Sequence, residues 1–337
     1  MYFTGPFQVA VREEPLPSLG PTEVMVRTTL SAISAGTEML FYRNHLDEGI
    51  QLDASLSSLS GVYKYPFKYG YASVGEVVEC GKDLSDCWLG RSVFSFHPHE
   101  SHYVASLREL MPVPAEISPE NAVFLPSVET ALSLVMDGQP LVGENVVVLG
   151  QGVTGLLTTG VLALHPLGRL VTLDRIPLRR HFSEEMGAHA ALEAPMSTSE
   201  FLEISGMRDH KADLTYEISG APEALDFALT ITGFEGRVVL GSWYGNKPAS
   251  LHFGRDFHRN RMRIISSQVT NVGPSLSGRW DKKRRYDMAW KMIQRLRPER
   301  LITHRMSFEE APSAYRLIDS QSDEVGQVVF SYGGGGA

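Results

Sequence analysis

Gly150-Gln151-Gly152-Val153-Thr154-Gly155 spells G-x-G-x-x-G, directly after the apolar run NVVVL and before a helical pattern that continues to residue 164. A strand, a glycine turn and a helix in that order form a pyrophosphate cradle. The first glycine permits the tight turn, the second lets a phosphate approach the backbone, and the third lets helix and strand pack closely. The helix start then offers free N–H groups to an anion. Asp174 follows Gly155 by 19 residues, at the end of the next strand pattern, RLVTLD. A carboxylate there accepts ribose hydroxyls and repels a 2′-phosphate, so the expected cofactor is NAD rather than NADP. Arg175, Arg179 and Arg180 come next and are the residues that could instead receive that phosphate.

A second group of residues carries acid–base character. Glu38 follows Thr37, and Tyr71 follows Gly70. His97, His99 and His102 spell H-x-H-x-x-H. As alternating strand residues, His97 and His99 would face the same way and could bind a metal. One histidine could equally contact a polar substrate or move a proton, or all three could be surface groups. Glu129 precedes Thr130 at a helix start, where it faces a cleft or complements the helix dipole, the latter being the expected role.

These residues need elements to hold them. Residues 24–30 (VMVRTTL) alternate so that Val24, Val26, Thr28 and Leu30 share one face, and 75–80 and 92–96 read as further strands. Such spacing suggests a small barrel or sandwich. The polar, serine-rich stretch 44–62 reads as a loop, either a plain insert or a lid. From about residue 118 the rhythm changes to strands at 145–150, 169–174, 212–218 and 237–241, with helices between them at 153–164, 177–186 and 222–230. Alternation of this kind predicts a parallel, doubly wound sheet with right-handed crossovers. Past residue 266 the pattern breaks, then an amphipathic helix over 283–296 and a last strand over 326–331 follow.

Composition excludes several classes. The chain has 337 residues, a net charge of −8 and 43% apolar content. An ordinary folded composition and length predict about two domains. The acidic balance argues against a general nucleic-acid binder. Two cysteines, Cys80 and Cys87, make neither a disulfide framework nor a structural zinc cage. The first residues lack a basic segment followed by an apolar one, and the most apolar stretch is broken by the glycine motif, so a cytoplasmic protein without a membrane span is expected. One segment departs from the average: between 255 and 285, nine Arg and Lys face two Asp, a local +7. Those cations either receive an anionic ligand or form a solvated rim.

The string EVMVRTTLSAIS, GYASVGEVVECG, GRSVFSF, ETALSLV, VVVLGQGVTGL, EMGAHAAL, DLTYEISGAPEAL, GRVVLGSWYG and THRMSFEEAPSAY, in that order, resembles the medium-chain dehydrogenase/reductase superfamily, that of the zinc alcohol dehydrogenases. The resemblance covers residues 1 to about 332. It implies a GroES-like β-barrel catalytic domain (1–118 and 267–337) and an inserted Rossmann domain (119–266), with NAD in the cleft between them. It also implies a homodimer or homotetramer. Ser219, Gly241, Ser242 and Trp243 join the cofactor set.

Departures from the family pattern are informative. Ser34 stands where zinc members carry a cysteine ligand, Tyr71 where they carry a histidine, and Val123–Pro126 offers no ligand at all. The four-cysteine lobe is missing too. A catalytic zinc needs three N, S or O ligands and an open position, so neither family zinc is expected. This zinc-less variety resembles the branch grouped with bacteriochlorophyllide hydroxyethyl dehydrogenase. By the same resemblance, Thr37 relays the substrate proton, Glu38 orients a neighbour, and Tyr71 is either a proton donor or a filler of the vacated volume. The implied activity is NAD(H)-dependent interconversion of a secondary alcohol and a ketone, on a small-molecule substrate, anionic or bulky being the open options, near Thr37, Tyr71, His97, His99 and Trp280. The alternatives are a C=C (enoyl or quinone) reductase using NADPH and a nucleotide-binding protein without turnover.

Overall fold

The structure, a computed structural model, describes residues 1–53, 56–208 and 210–333. The glycine tail, 334–337, lies outside them. The chain begins with β1 (Tyr2–Gly5), β2 (Gln8–Ala10) and β3 (Glu23–Ala32), then α1 (Ala35–Tyr42). Next come β4 (Ser73–Cys80), β5 (Ser92–Ser95), β6 (His102–Ser106), β7 (Leu110–Pro112) and the short α2 (Pro119–Ala122). The middle of the chain runs α3 (Leu125–Gly138), β8 (Asn145–Leu149), α4 (Val153–Leu162), β9 (Arg169–Asp174), α5 (Pro177–Glu185), β10 (Ala190–Glu193) and α6 (Thr198–Ile204). It continues through β11 (Ala212–Glu217), α7 (Pro222–Ile231), β12 (Thr232–Leu240), α8 (Asp256–Arg259), β13 (Arg263–Ser266) and α9 (Lys282–Leu296). The chain closes with β14 (Ile302–Ser307), α10 (Ala311–Ser320) and β15 (Gln327–Ser331).

Two compact units result: Met1–Pro126 with Arg297–Ala337, and Ser127–Leu296. By contact, residues 267–296 pack with the second unit, although the pattern break near 266 has them rejoin the first. Arg285 of α9 pairs with Glu129 of α3, and Leu296 lies 3.0 Å from the position a Cβ on Gly160 would take.

In the second unit six parallel strands follow the order β10-β9-β8-β11-β12-β13, the doubly wound arrangement anticipated from the alternation. β8 is apolar on both faces, and Val146, Val147 and Val148 are wholly buried, as a strand covered by helices on both sides requires. The strands end in line. Gly150 N–H donates to Leu173 O at 2.9 Å, Ile218 N–H to Leu149 O at 2.8 Å, Gly241 N–H to Glu217 O at 3.0 Å and Ser267 N–H to Leu240 O at 3.0 Å. All four loops that follow therefore leave from one edge.

In the first unit the strand order is β14-β15-β3-β4-β5-β7, with β6 also on β3. Among the described residues no ladder closes this sheet, so the small barrel or sandwich suggested by the sequence takes the form of an open sheet. β3 is its centre, pairing β4 along one side and β6 and β15 along the other. Val24, Val26, Thr28 and Leu30 are buried while Arg27 and Thr29 are exposed, so the alternation holds from residue 26 to 30; Met25 is buried as well.

The stretch 44–62 is not a free loop. Leu46, Leu52 and Leu59 enter the core, and Tyr63 N–H donates to Ile50 O at 2.7 Å. Isolated leucines in a polar run give no periodic signal, so the sequence hides this packing; Ala54 and Ser55 lie outside the described residues. Around them sits an aromatic cluster in which Phe41 of α1 meets Phe3, Tyr63, Phe67 and Tyr69 with ring centroids 6.5, 5.3, 5.4 and 4.4 Å away. No helix among the described residues is long and apolar enough to cross a membrane.

Phe41 is fully buried at the centre of this cluster. Phe41→Ala is expected to cost about 3–5 kcal/mol. A urea titration reads it as a lower midpoint for the first unit; an unchanged midpoint contradicts the packing described.

Candidate functional site

The glycine motif opens α4 at the carboxyl edge of the parallel sheet. Gly150 has φ +92°, and a Cβ there would lie 2.6 Å from Ser219 N and Cα. At Gly155 a Cβ would meet Gly150 O at 2.0 Å. Both glycines are therefore demanded by the fold itself. Gly152 is different. It is the N-cap of α4 with an ordinary φ of −66°, and no atom lies within 4 Å of its missing Cβ. Nothing in the fold requires a glycine there. The space it keeps clear lies at the helix start, where the first-turn N–H groups, those of Val153 and Thr154 among them, lack intrahelical acceptors. The residues fit an anionic pyrophosphate.

Asp174 ends β9 and is buried. Its Oδ2 accepts Gln151 N–H at 2.7 Å and its Oδ1 accepts Ile176 N–H at 2.8 Å. It anchors the glycine loop, and each oxygen keeps a second lone pair for a ribose hydroxyl. Gln151 turns inward: Nε2 donates to Gly150 O at 3.1 Å, and Oε1 accepts Thr159 Oγ1–H at 3.1 Å. Its side chain braces the loop. Arg180 donates to the carbonyls of Asp174 and Arg175 at 3.0 and 2.9 Å, while Arg175 is exposed.

Glu217, at the end of β11, is a buried carboxylate that sequence reading passes over. It accepts Ser219 N–H at 2.7 Å, the Ser219 hydroxyl, Gly220 N–H at 3.1 Å and Tyr244 O–H at 2.8 Å. Ser219 is thus engaged locally in this turn. Burial, with Glu217 beside it, pushes the Tyr244 phenol up. At Gly241 a Cβ would meet Leu134 Cδ2 at 2.4 Å, so this glycine serves helix packing; Ser242 is half-buried and Trp243 is 45% exposed.

In the first unit Thr37, Glu38, Tyr71 and His99 converge. α1 starts after Ser34, and Glu38 lies in its first turn with Oε1 accepting Ser34 N–H at 2.7 Å. Glu38 Oε2 accepts the Tyr315 hydroxyl and lies 3.1 Å from His99 Nε2. His99 Nδ1 is 2.7 Å from Ser31 Oγ, which is 2.8 Å from Tyr332 Oη. Glu38, His99, Ser31 and Tyr315 are all wholly buried. Gly70, at φ +124°, is required beside them, because a Cβ would lie 2.7 Å from His99 Cδ2. Burial and the Glu38 carboxylate hold the Tyr315 phenol well above the ordinary tyrosine range.

Tyr71 is half-buried against this network. Its hydroxyl bonds Ser34 Oγ closely and donates to Thr37 Oγ1 at 3.3 Å. Burial pushes the phenol up, with Ser34 and Thr37 pulling the other way. Ser31, Tyr315 and Tyr332 were not foreseen, since they sit on β3, α10 and just past β15, remote from each other and from Glu38 in the chain.

His97 does not join. β5 ends at Ser95, so His97 and His99 are not alternating strand residues and do not share a face. The His97 ring stacks on Tyr103 with centroids 3.9 Å apart, and Nδ1 lies 3.4 Å from Glu100 Oε2. Burial lowers its pKa, favouring the neutral ring. His102 sits on β6 near Ser101 Oγ at 3.3 Å. Among the described residues no three His, Cys, Asp or Glu side chains group as a metal site. At the three positions singled out for zinc, the donors are a serine hydroxyl, a phenol and the apolar run 123–126, a set that does not fit zinc.

Glu129 neither faces a cleft nor caps a dipole. It lies in α3, where Oε1 receives Arg285 Nη2 at 2.6 Å; burial pushes its carboxyl up, opposed by Arg285. The basic segment is partly neutralised: Arg261 pairs with Glu235, Lys283 with Asp287 at 2.7 Å, and Arg284 lies 4.1 Å over the Trp280 ring.

No family model matches the chain. D-guloside 3-dehydrogenase of Escherichia coli (strain K12) is 26% identical over 317 residues, 90% of each chain. Galactitol-1-phosphate dehydrogenase of Escherichia coli superposes with a TM-score of 0.79 at 19% identity, covering 98% of this chain and 99% of that one. The short chain alcohol dehydrogenase rspB of E. coli CFT073, complexed with NADH, superposes with a TM-score of 0.77 at 20% identity and 98% coverage of both. The architecture is the GroES-like plus Rossmann fold of these dehydrogenases.

His99 is the imidazole that faces the Glu38 carboxylate, beside the Tyr315 hydroxyl. His99→Ala is expected to cost about 1–3 kcal/mol, because it leaves a buried carboxylate oxygen short of one partner. In urea titrations the His99→Ala/Glu38→Ala pair should lose less than the sum of the single changes; strict additivity would sink the coupling. The raised Tyr315 pKa adds an alkaline signature. The folded chain holds that proton more tightly than the unfolded one, so this contribution is full below about pH 10 and is lost as pH rises through the folded value.

Proposed function

We propose that this chain, a homologue of the zinc-type, medium-chain alcohol dehydrogenases, interconverts a secondary alcohol and a ketone with NAD(H) and without zinc. The relative's name, D-guloside 3-dehydrogenase, points to a sugar or polyol hydroxyl as the substrate class. Three cofactor-independent hydroxyls carry the reading: Ser34, Tyr71 and Thr37, hydrogen-bonded in a row at positions where zinc relatives place ligands or a proton relay.

The second unit would hold the dinucleotide. Gly152 leaves room for the pyrophosphate at the start of α4, and Asp174 accepts the ribose hydroxyls. Its carboxylate favours NAD over NADP, with exposed Arg175 as the residue that would tolerate a 2′-phosphate. When bound, the nicotinamide exchanges a hydride with the substrate carbon.

The first unit would handle the proton. The Tyr71 phenol is protonated at neutral pH, as an ordinary tyrosine is, and burial pushes its pKa further up, so it can donate to the oxygen of a ketone as alkoxide character develops. Thr37 and Ser34, both bonded to the Tyr71 hydroxyl, then return a proton to it from solvent. In oxidation the same chain takes the alcohol proton. Glu38 does not touch the substrate in this scheme. It holds Ser34 through its backbone N–H and thereby sets the start of α1. His99 fixes Glu38 in turn, and His97 has no part.

Tyr71→Phe removes the donor and keeps the ring. Steady-state kinetics should show kcat down by roughly 10²-fold or more with the NADH Kd within about twofold; an unchanged kcat makes Tyr71 a filler. Metal analysis of active purified protein should find far less than one zinc per chain, and a stoichiometric, tightly held zinc would overturn the scheme.

Gly152→Ala separates fold from ligand. The new methyl meets open space, but alanine is a poorer N-cap than glycine, so stability should fall by about 0.5–1 kcal/mol. The NADH Kd from calorimetry should nonetheless rise about tenfold or more, as a methyl blocks the phosphate. Equal affinity would show that the space serves no ligand.

A further inference from the structure

After β13 ends at Ser266, the chain runs without regular structure to α9, and α3 holds the first part of that run. Glu129, Ser133 and Asp137 recur every four residues and so form one stripe along α3. Asp137 accepts the Ser267 hydroxyl at 2.6 Å. Ser133 and Glu129 accept from Arg285, at 2.9 Å to Nη1 and 2.6 Å to Nη2. The same guanidinium donates to Val269 O at 2.5 Å and to Asn271 O at 3.4 Å. Arg285 is only 1% exposed.

Stability alone does not account for this arrangement. A buried ion pair is often no more stabilising than apolar residues of the same volume. What a guanidinium does and an apolar side chain cannot is fix two carbonyls and a carboxylate in one plane. Here it ties the path of 267–271 to a helix.

That path begins at the carboxyl edge of the sheet, level with the turns after β8, β11 and β12. In this strand order a dinucleotide lies outside the carboxyl ends, one nucleotide over each half of the sheet. Gly152 and Asp174 belong to the β8-β9-β10 half. Residues 267–271 leave from the β11-β12-β13 half, which falls to the other nucleotide.

We infer that Arg285 is a positioning residue for the nicotinamide end of the cofactor, holding 267–271 in the conformation that end requires. The inference rests on the dinucleotide reading above.

Calorimetry on the full chain with two probes tests it: NADH, and ADP-ribose, which keeps the adenosine and pyrophosphate but lacks nicotinamide. Arg285→Lys keeps the charge and loses the fork. Ser133→Ala removes one acceptor and keeps the ion pair, so it serves if Arg285→Lys folds poorly. The NADH Kd should rise about tenfold in the first and about threefold in the second, while ADP-ribose stays within about twofold in both. Unchanged NADH affinity overturns the inference, and so does an equal loss for both probes, which marks general loosening. Failure of the unaltered chain to bind ADP-ribose overturns the dinucleotide reading itself.

Discussion

A carboxylate with no exposure to water must find donors on every side, and Glu38 is such a group. Its two oxygens take Ser34 N–H, the Tyr315 hydroxyl and a contact with His99 Nε2. Those partners come from the start of α1, from α10 and from the stretch between β5 and β6. Through His99 the network reaches Ser31 on β3 and Tyr332 beyond β15. Charge burial without partners is prohibitive, so these segments can meet only in the arrangement that satisfies Glu38. Ser34, Thr37 and Tyr71 take their places from the same constraint.

The second unit has a parallel device of opposite emphasis. Its buried charge is a cation, Arg285, and its partners are one carboxylate, one hydroxyl and two backbone carbonyls. Where the Glu38 network gathers side chains, Arg285 disciplines a stretch of backbone that has no ladder of its own. In both units several polar groups singled out in the sequence hold other groups still. Gln151, Ser219, Glu129 and His99 do so by their observed contacts.

Local rules made much of this legible in advance. The glycine motif, the Asp174 spacing and the unbroken apolar strands depend on neighbours within a few residues, and they recur in the structure at the expected positions. Tyr71 beside Thr37 was inferred by resemblance rather than by pattern, and the hydrogen bond between them is present. His97 failed for a local reason: the strand it was assigned to ends two residues earlier, so alternation no longer governs where it points. The extent of the first unit's sheet was open for a distant reason, since closure depends on whether the first and last strands meet, and strand patterns are silent on that.

From its amino-acid order alone this protein is a two-part α/β chain with a strand–glycine-turn–helix unit at residues 145–164. Those properties follow from steric freedom at glycine, hydrophobic period and side-chain chemistry, all carried by short windows. Tertiary structure alone decided that His99 serves Glu38 while His97 stacks on Tyr103, that Tyr315 and Tyr332 complete the network, and that Arg285 grips 267–271 from α9. Residues up to 301 positions apart take part in these contacts. What pairs them is the demand that each buried charge and hydroxyl find a partner, and that demand arises only once the chain has folded.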